Sequence, residues 1–201
     1  MSNLIHIEKA KKIIDDGGVL IMPTDTAFGV TCDVDNSDAV KRIFEIKGRE
    51  LDKSFTIHIG ELNMIDEWVE RIPYNARKLI NRFWPGDLNI VFETYRWVPY
   101  ITKKAGDRNT VAIRLPNHSV PIELSKHLGN AIIGTSANFS GKPAAYSYEK
   151  LDPEFVNMTD GIIEGECGKI MTSTVVGFEN DEMDVYREGR ITRKMIEKLL
   201  T

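Results

Sequence analysis

Three basic side chains stand close together at Lys47, Arg49 and Lys53, in the run Lys-Gly-Arg-Glu-Leu-Asp-Lys. A guanidinium presents a planar fork that matches phosphate or carboxylate, and an ammonium adds a point charge, so the cluster suits a polyanionic ligand. It also follows a helical pattern, and cations at a helix C-terminus gain about 0.3–1 kcal/mol from the dipole, so a well-ended helix explains it equally. Arg114 and Arg187 each sit at the end of a strand-like run among apolar neighbours. A guanidinium there needs an acidic partner or an anionic ligand, and thirty acidic residues make either available. Two buried-strand patterns then empty into polar loops, Met22-Pro23-Thr24-Asp25-Thr26 and Ile133-Gly134-Thr135-Ser136-Ala137-Asn138. In open α/β sheets, ligands gather where strands end, although the same residue types form ordinary turns.

Other chemistries fail on spacing. Six residues separate Gly134 from Gly141, where a Walker loop has four, and Pro143 stands where a magnesium-holding hydroxyl belongs. There is no Gly-x-Gly-x-x-Gly. His6, His58, His118 and His127 never fall at His-x-x-x-His spacing, and Cys32 and Cys167 form no Cys-x-x-Cys, which disfavours zinc catalysis, a zinc finger and a disulfide framework. Ser136 lacks the glycines of a nucleophile elbow. Trp68, Trp84 and Trp97 read as core or turn anchors without the interleaving of a base-stacking surface.

The elements that must position these residues alternate between helix and strand along the whole chain, which predicts an α/β or mixed α+β layered domain. Ile7, Ala10, Ile13 and Ile14 predict a helix stopped by Gly17-Gly18, followed by a buried strand at Val19 to Met22. Ser37 is the expected cap of a second helix that ends at Gly48. Phe55 to Ile59 alternates as a half-buried strand, with Thr56 and His58 on one face. Pro73 opens a helix that Trp84-Pro85-Gly86 breaks before a strand at Leu88 to Phe92. Strands are expected at 110–115, 131–133, 174–178 and 183–186, with helices at 120–129 and from Thr192. Segments 147–160 and 179–184 read as surface excursions.

Hydrophobic content of 42% with 28% charged residues in 201 residues is ordinary globular composition, enough to bury roughly 70% of the unfolded surface in one domain spanning 1–201. The net charge of −4 weighs against a broad grip on nucleic acid, leaving room only for a local basic pocket. No apolar run nears the roughly 20 residues of a membrane span, and the start has no signal layout, so a cytoplasmic location without membrane contact is expected.

Taken in order, several runs resemble the YrdC-type family of threonylcarbamoyl-AMP synthases. They are Gly-Gly-Val with Pro-Thr-Asp-Thr-Ala-Phe-Gly, Ile-Lys-Gly-Arg leading to His58, Trp-Pro-Gly, Val-Ala-Ile-Arg-Leu-Pro, Thr-Ser-Ala-Asn-Phe-Ser-Gly, Ser-Thr-Val-Val and Arg-x-Gly. The match runs from about Gly17 to Gly189. It implies a twisted mixed sheet flanked by helices around a deep basic cavity. It also implies condensation of L-threonine, bicarbonate and ATP to threonylcarbamoyl-AMP and pyrophosphate, for threonylcarbamoyl-adenosine in tRNA. Mg2+ is expected with ATP, and no protein metal ligands are assigned. By motif position Thr26, His58, Arg114 and Ser173 fall on the threonine side. Lys47, Arg49, Lys53, Thr110, Ser136, Asn138 and Arg187 fall on the ATP side. The resemblance also implies downstream tRNA threonylcarbamoyl transferase proteins as partners and leaves RNA contact open. Glu50, Ser54, Phe28, Asp87 and Asn89 depart from the family pattern, and Glu50 could compete with phosphate for Arg49. The chain end soon after Arg187 predicts no extra C-terminal domain. The competing readings are a carbamoyl or adenylyl transferase with another acceptor, and a noncatalytic RNA-binding module.

Overall fold

The computed structural model describes residues 4–50, 53–168, 172–179 and 181–201. The chain opens with β1 (Leu4–Ile5), α1 (Ile7–Asp15), β2 (Leu20–Met22), β3 (Gly29–Thr31), α2 (Ser37–Lys47) and β4 (Thr56–His58). After a 3-10 turn at Leu62–Glu67 come α3 (Tyr74–Phe83), β5 (Leu88–Thr94), β6 (Lys103–Ala105), β7 (Arg108–Arg114) and α4 (Ser119–Leu128). The rest is β8 (Ile132–Ile133), β9 (Thr135–Ser136), α5 (Pro153–Asn157), β10 (Gly161–Ile163), β11 (Thr174–Glu179), β12 (Glu182–Arg187) and α6 (Arg193–Leu200).

The mixed pairing and flanking helices follow expectation, but the strands divide between two sheets. One runs β1-β10-β2-β3-β9. The other runs β12-β11-β5-β7-β4-β8, with β6 also on β7. The chain crosses between them at Gly134: Ile133 pairs with Ile57 in the second sheet, while Thr135 pairs with Val30 in the first. A Cβ at Gly134 would lie 2.3 Å from the His58 ring, so only glycine lets the crossing pass this close to the imidazole.

The largest apolar cluster takes Ile21 and Val30 from the first sheet, Phe28 from the residue before β3, and Ile57, Ile90, Ile113 and Ile133 from the second sheet, with Ile43, Trp68, Leu79 and Phe155 from the helical layer. A smaller cluster under α1 and α4 holds Ile14, Leu20, Leu124 and Ile163. Each fully buried side chain of this size is worth about 1.5–3 kcal/mol of transfer free energy, which anchors the strand ends that carry the polar loops.

Three expectations need correction. Asn36, not Ser37, caps α2, its side chain accepting from the Ala39 N–H at 3.0 Å; asparagine caps as well as serine, and one residue of offset decides which is used. The 147–160 segment is no mere excursion, because α5 drives Phe155 into the core, edge-on to Phe139. Trp97 is 55% exposed, unlike the buried Trp68 and Trp84.

Candidate functional site

A cavity of about 210 Å3 opens where the two sheets meet, and Thr26, Arg49, His58, Arg114, Ser136, Ser173 and Arg187 all line it. Seven of the eleven expected site residues therefore share one void, although they come from opposite ends of the chain. The parallel register of β4 with β7 sets His58 beside Arg114. The β5–β11–β12 register sets Asn89 beside Val175 and Val175 beside Arg187. Gly189 makes the close return after Arg187 feasible: a Cβ there would stand 2.1 Å from the Thr172 carbonyl.

Arg114 is 3% exposed and heavily engaged. Its Nε donates to the Gly86 carbonyl at 2.8 Å, Nη1 to Thr26 Oγ1 at 3.3 Å, and Nη2 to Asp25 at 2.7 Å and Asp87 at 3.4 Å. Arg190 closes the network on Asp87 at 3.1 Å. Burial pushes the Asp25 carboxyl up, but Arg114 and the Asn117 N–H outweigh it and hold the group below its ordinary range. Asp87 goes the other way, raised by burial and by the charge on Asp25. The internal ion pair and the cavity position, alternatives on sequence, are both true of Arg114.

Arg187 differs. Its Nε and Nη2 donate to the carbonyl and hydroxyl of Ser173 at 3.0 and 3.1 Å, and no carboxylate pairs with it among the described residues. Burial and the like charge of Arg114 lower its pKa. His58 is driven down to about 3 by burial and then by Arg114, so its imidazole is neutral at physiological pH. Its Nδ1 is buried and has no hydrogen-bond partner among the described residues.

Four expected residues stand away from the cavity lining. Lys47 lies behind it, 2% exposed, with its ammonium on the Ser136 and Asn138 carbonyls at 2.5 and 2.8 Å. Burial, then the charge of Arg49, brings Lys47 down to about 7. Asn138 accepts from the Ser136 hydroxyl at 2.5 Å, so Lys47 and Asn138 together hold the loop that presents Ser136. Lys53 turns out to pair with Glu50 at 2.5 Å, both exposed. Glu50 thus faces solvent and Lys53 rather than competing at Arg49, whose Nε and Nη2 donate to the Lys53 and Ser54 carbonyls at 3.0 and 2.8 Å. Leu51 and Asp52, inside that run, lie outside the described residues. Thr110 stands four residues up β7 from Arg114, roughly 13 Å along a strand, and donates to the Lys103 carbonyl.

Thr24, Thr56, Asn89, Tyr146 and Thr172 also line the cavity and were not singled out as ligands. Thr56 was legible through its alternation with His58, and Asn89 as a polar residue inside an apolar strand; Tyr146 carries no local signal. A larger groove of about 720 Å3, walled by Glu70, Tyr74, Glu93, Arg108 and Asp181, contains none of the expected residues.

A family model covering the Sua5, YciO and YrdC proteins, described as telomere recombination, matches residues 12–189. The chain belongs to this family. Threonylcarbamoyl-AMP synthase of Bacillus subtilis (strain 168) is 33% identical over 97% of this chain and 56% of its own length. The protein of the same name from Xanthomonas campestris pv. campestris (strain B100) is 31% identical over 88% of this chain and 94% of its own. The crystal structure of Pyrococcus abyssi Sua5 complexed with L-threonine superposes with a TM-score of 0.87, at 33% identity, over 96% of this chain and 56% of that one. The chain thus spans just over half the length of the Bacillus and Pyrococcus relatives. Escherichia coli YciO shares the fold, with a TM-score of 0.80 at 24% identity. No helix among the described residues is long and apolar enough to cross a membrane.

Proposed function

We propose that this chain, as one YrdC-like domain over residues 1–201, is a cytoplasmic threonylcarbamoyl-AMP synthase. It condenses L-threonine, bicarbonate and ATP to threonylcarbamoyl-AMP and pyrophosphate, and hands the product to downstream proteins that modify tRNA. The observation that carries this reading is the cavity that Arg49, Arg114 and Arg187 line together with several hydroxyls, with no carboxylate among the described lining residues. Such a void attracts anions, and the reaction must bring an amino-acid carboxylate, a carbamate and a triphosphate together. Its volume falls below the roughly 300–1,000 Å3 of pockets for drug-sized ligands, a size suited to an amino acid with the nucleotide reaching outward past Arg49 and Ser136. The likeness to the Pyrococcus protein complexed with L-threonine supports the same choice.

In this mechanism the threonine amine attacks bicarbonate carbon, and water leaves with the proton to give the carbamate. A carbamate oxygen then attacks the α-phosphorus as the bond to pyrophosphate breaks. Arg49 and Arg187 lessen the repulsion between carbamate and triphosphate; Arg114 holds Thr26 in place and adds field. Neutral His58 shapes the threonine side without another charge, and Lys47 with Asn138 sets the position of Ser136. The rate gain comes from positioning and preorganised charge, with no covalent enzyme intermediate. The described lining residues offer hydroxyl and carbonyl oxygens but no carboxylate, so they do not fit a protein-held magnesium site; Mg2+ would arrive on the phosphates of ATP.

The test is to incubate the protein with labelled L-threonine, bicarbonate, ATP and magnesium and follow pyrophosphate. Release that requires threonine is expected. Release indifferent to threonine, or tight RNA binding without any release, sinks the reading.

A further inference from the structure

Asn89 is a buried amide, 3% exposed, at the second position of β5, and it faces the cavity. Its Nδ2 donates to Ser173 Oγ at 2.7 Å, and Arg187 Nη2 donates to the same oxygen at 3.1 Å. A serine hydroxyl has two lone pairs and one proton. With both lone pairs occupied by N–H donors, the proton must point elsewhere, and no acceptor among the described residues takes it. The remaining direction is the cavity that Asn89, Ser173 and Arg187 share.

Thr24, Thr26 and Ser136, three of the other hydroxyls in the lining, have the opposite polarity. Thr24 Oγ1 spends its proton on the Ala27 carbonyl at 2.7 Å, so in the 3.1 Å contact between the two threonines Thr26 is the donor. Arg114 Nη1 takes one Thr26 lone pair, which leaves Thr26 a single acceptor site. Ser136 spends its proton on Asn138 Oδ1. The void therefore has a hydroxyl donor at Ser173 and hydroxyl acceptors at Thr26 and Ser136, a polarity that matches a zwitterion.

We propose that Asn89 is a positioning residue that, with Arg187, locks the Ser173 O–H as a donor to the carboxylate of the substrate amino acid, whose amine then lies toward Thr26. This rests on the threonine reading above. It gives the carboxylate to Ser173 and Arg187, since the charge of Arg114 is already balanced by Asp25 and Asp87.

The experiment is calorimetric titration of the full chain with L-threonine and, separately, with ATP. In Asn89→Asp the shape is kept but the donor becomes an acceptor, turning the Ser173 proton away from the cavity. L-threonine affinity should fall at least about tenfold, and by more than ATP affinity does. Asn89→Leu should lose about three- to tenfold, and Asn89→Gln, which restores an N–H, should stay within about threefold of wild type. Asn89→Leu placed on Ser173→Ala should cost L-threonine affinity nothing beyond Ser173→Ala alone. Wild-type threonine affinity in Asn89→Asp, an equal loss for ATP, or additive losses with Ser173→Ala each overturn the proposal. If Asn89→Asp does not fold, the Leu and Gln pair decides the matter in the same way. A wild-type protein that ignores L-threonine overturns the substrate reading first, and the carboxylate assignment with it.

Discussion

The two walls of the cavity use the same side chain for different ends. On one wall Arg114, at the end of β7, is held by a carbonyl, a hydroxyl and two buried aspartates. On the other, Arg187 at the end of β12 meets only the carbonyl and hydroxyl of Ser173 among the described residues. The first cation is balanced within the protein and mainly fixes geometry. The second has no carboxylate partner among the described residues, and burial and Arg114 lower its pKa. Both are strand-end arginines, so residue type and local pattern do not distinguish a cation paired with carboxylates from one without a carboxylate among the described residues; the tertiary contacts do.

Removing each arginine should break the symmetry in opposite ways. Arg114→Leu strands Asp25 and Asp87 without their cation, and equilibrium urea unfolding should show a loss of about 3–5 kcal/mol. A loss under about 1 kcal/mol would mean the wall is not built on this pair. Arg187→Ala should cost only about 1–2 kcal/mol of stability, from its Ser173 hydrogen bonds, yet slow threonine-dependent pyrophosphate release about 100-fold. Equal effects of the two variants on stability would dissolve the distinction.

His58 lies between the walls and offers a finer test. Its folded pKa of about 3 is below the ordinary 6.5, so between those values the unfolded chain binds more protons than the native one. The contribution of neutral His58 is complete above about pH 6.5 and is lost as pH falls toward 3. The stability difference between wild type and His58→Gln should shrink by about 1.4 kcal/mol per pH unit below about pH 6 in matched denaturant titrations. A pH-independent difference would show that the ring protonates as readily in the fold as outside it.

The smallest effects belong to the residues the fold leaves out of the void. Lys53→Ala breaks an exposed pair and should change stability by less than about 1 kcal/mol, and Thr110→Val should leave threonine and ATP affinities within about twofold. A large affinity loss in Thr110→Val would mean that the nucleotide extends much farther along β7 than the cavity does.

Much of the layered α/β plan was legible. Helix periodicity found α1, α2, α3 and α6, and the small-residue loops after β2 and β8 both line the cavity. Asn36 as the true cap, the burial of Phe155 and the division into two sheets were not, because each depends on a choice between near-equal local options that packing settles. Arg114 and Arg187 are legible as strand-end cations that need an acidic partner or an anion, but not which of the two each finds. Lys47 and Asn138, expected on the ATP side, stand behind the cavity lining and hold the loop that presents Ser136.

Composition, periodicity and turn chemistry are local, so the sequence by itself determined the class of fold, the element order and the inventory of groups able to hold an anion. Which of those groups share one void, and which cation is neutralised before a ligand arrives, was decided only by strand register. Register brings Thr26, Arg114 and Ser173 together across large separations in the chain, and no short-range rule encodes contacts between residues that far apart.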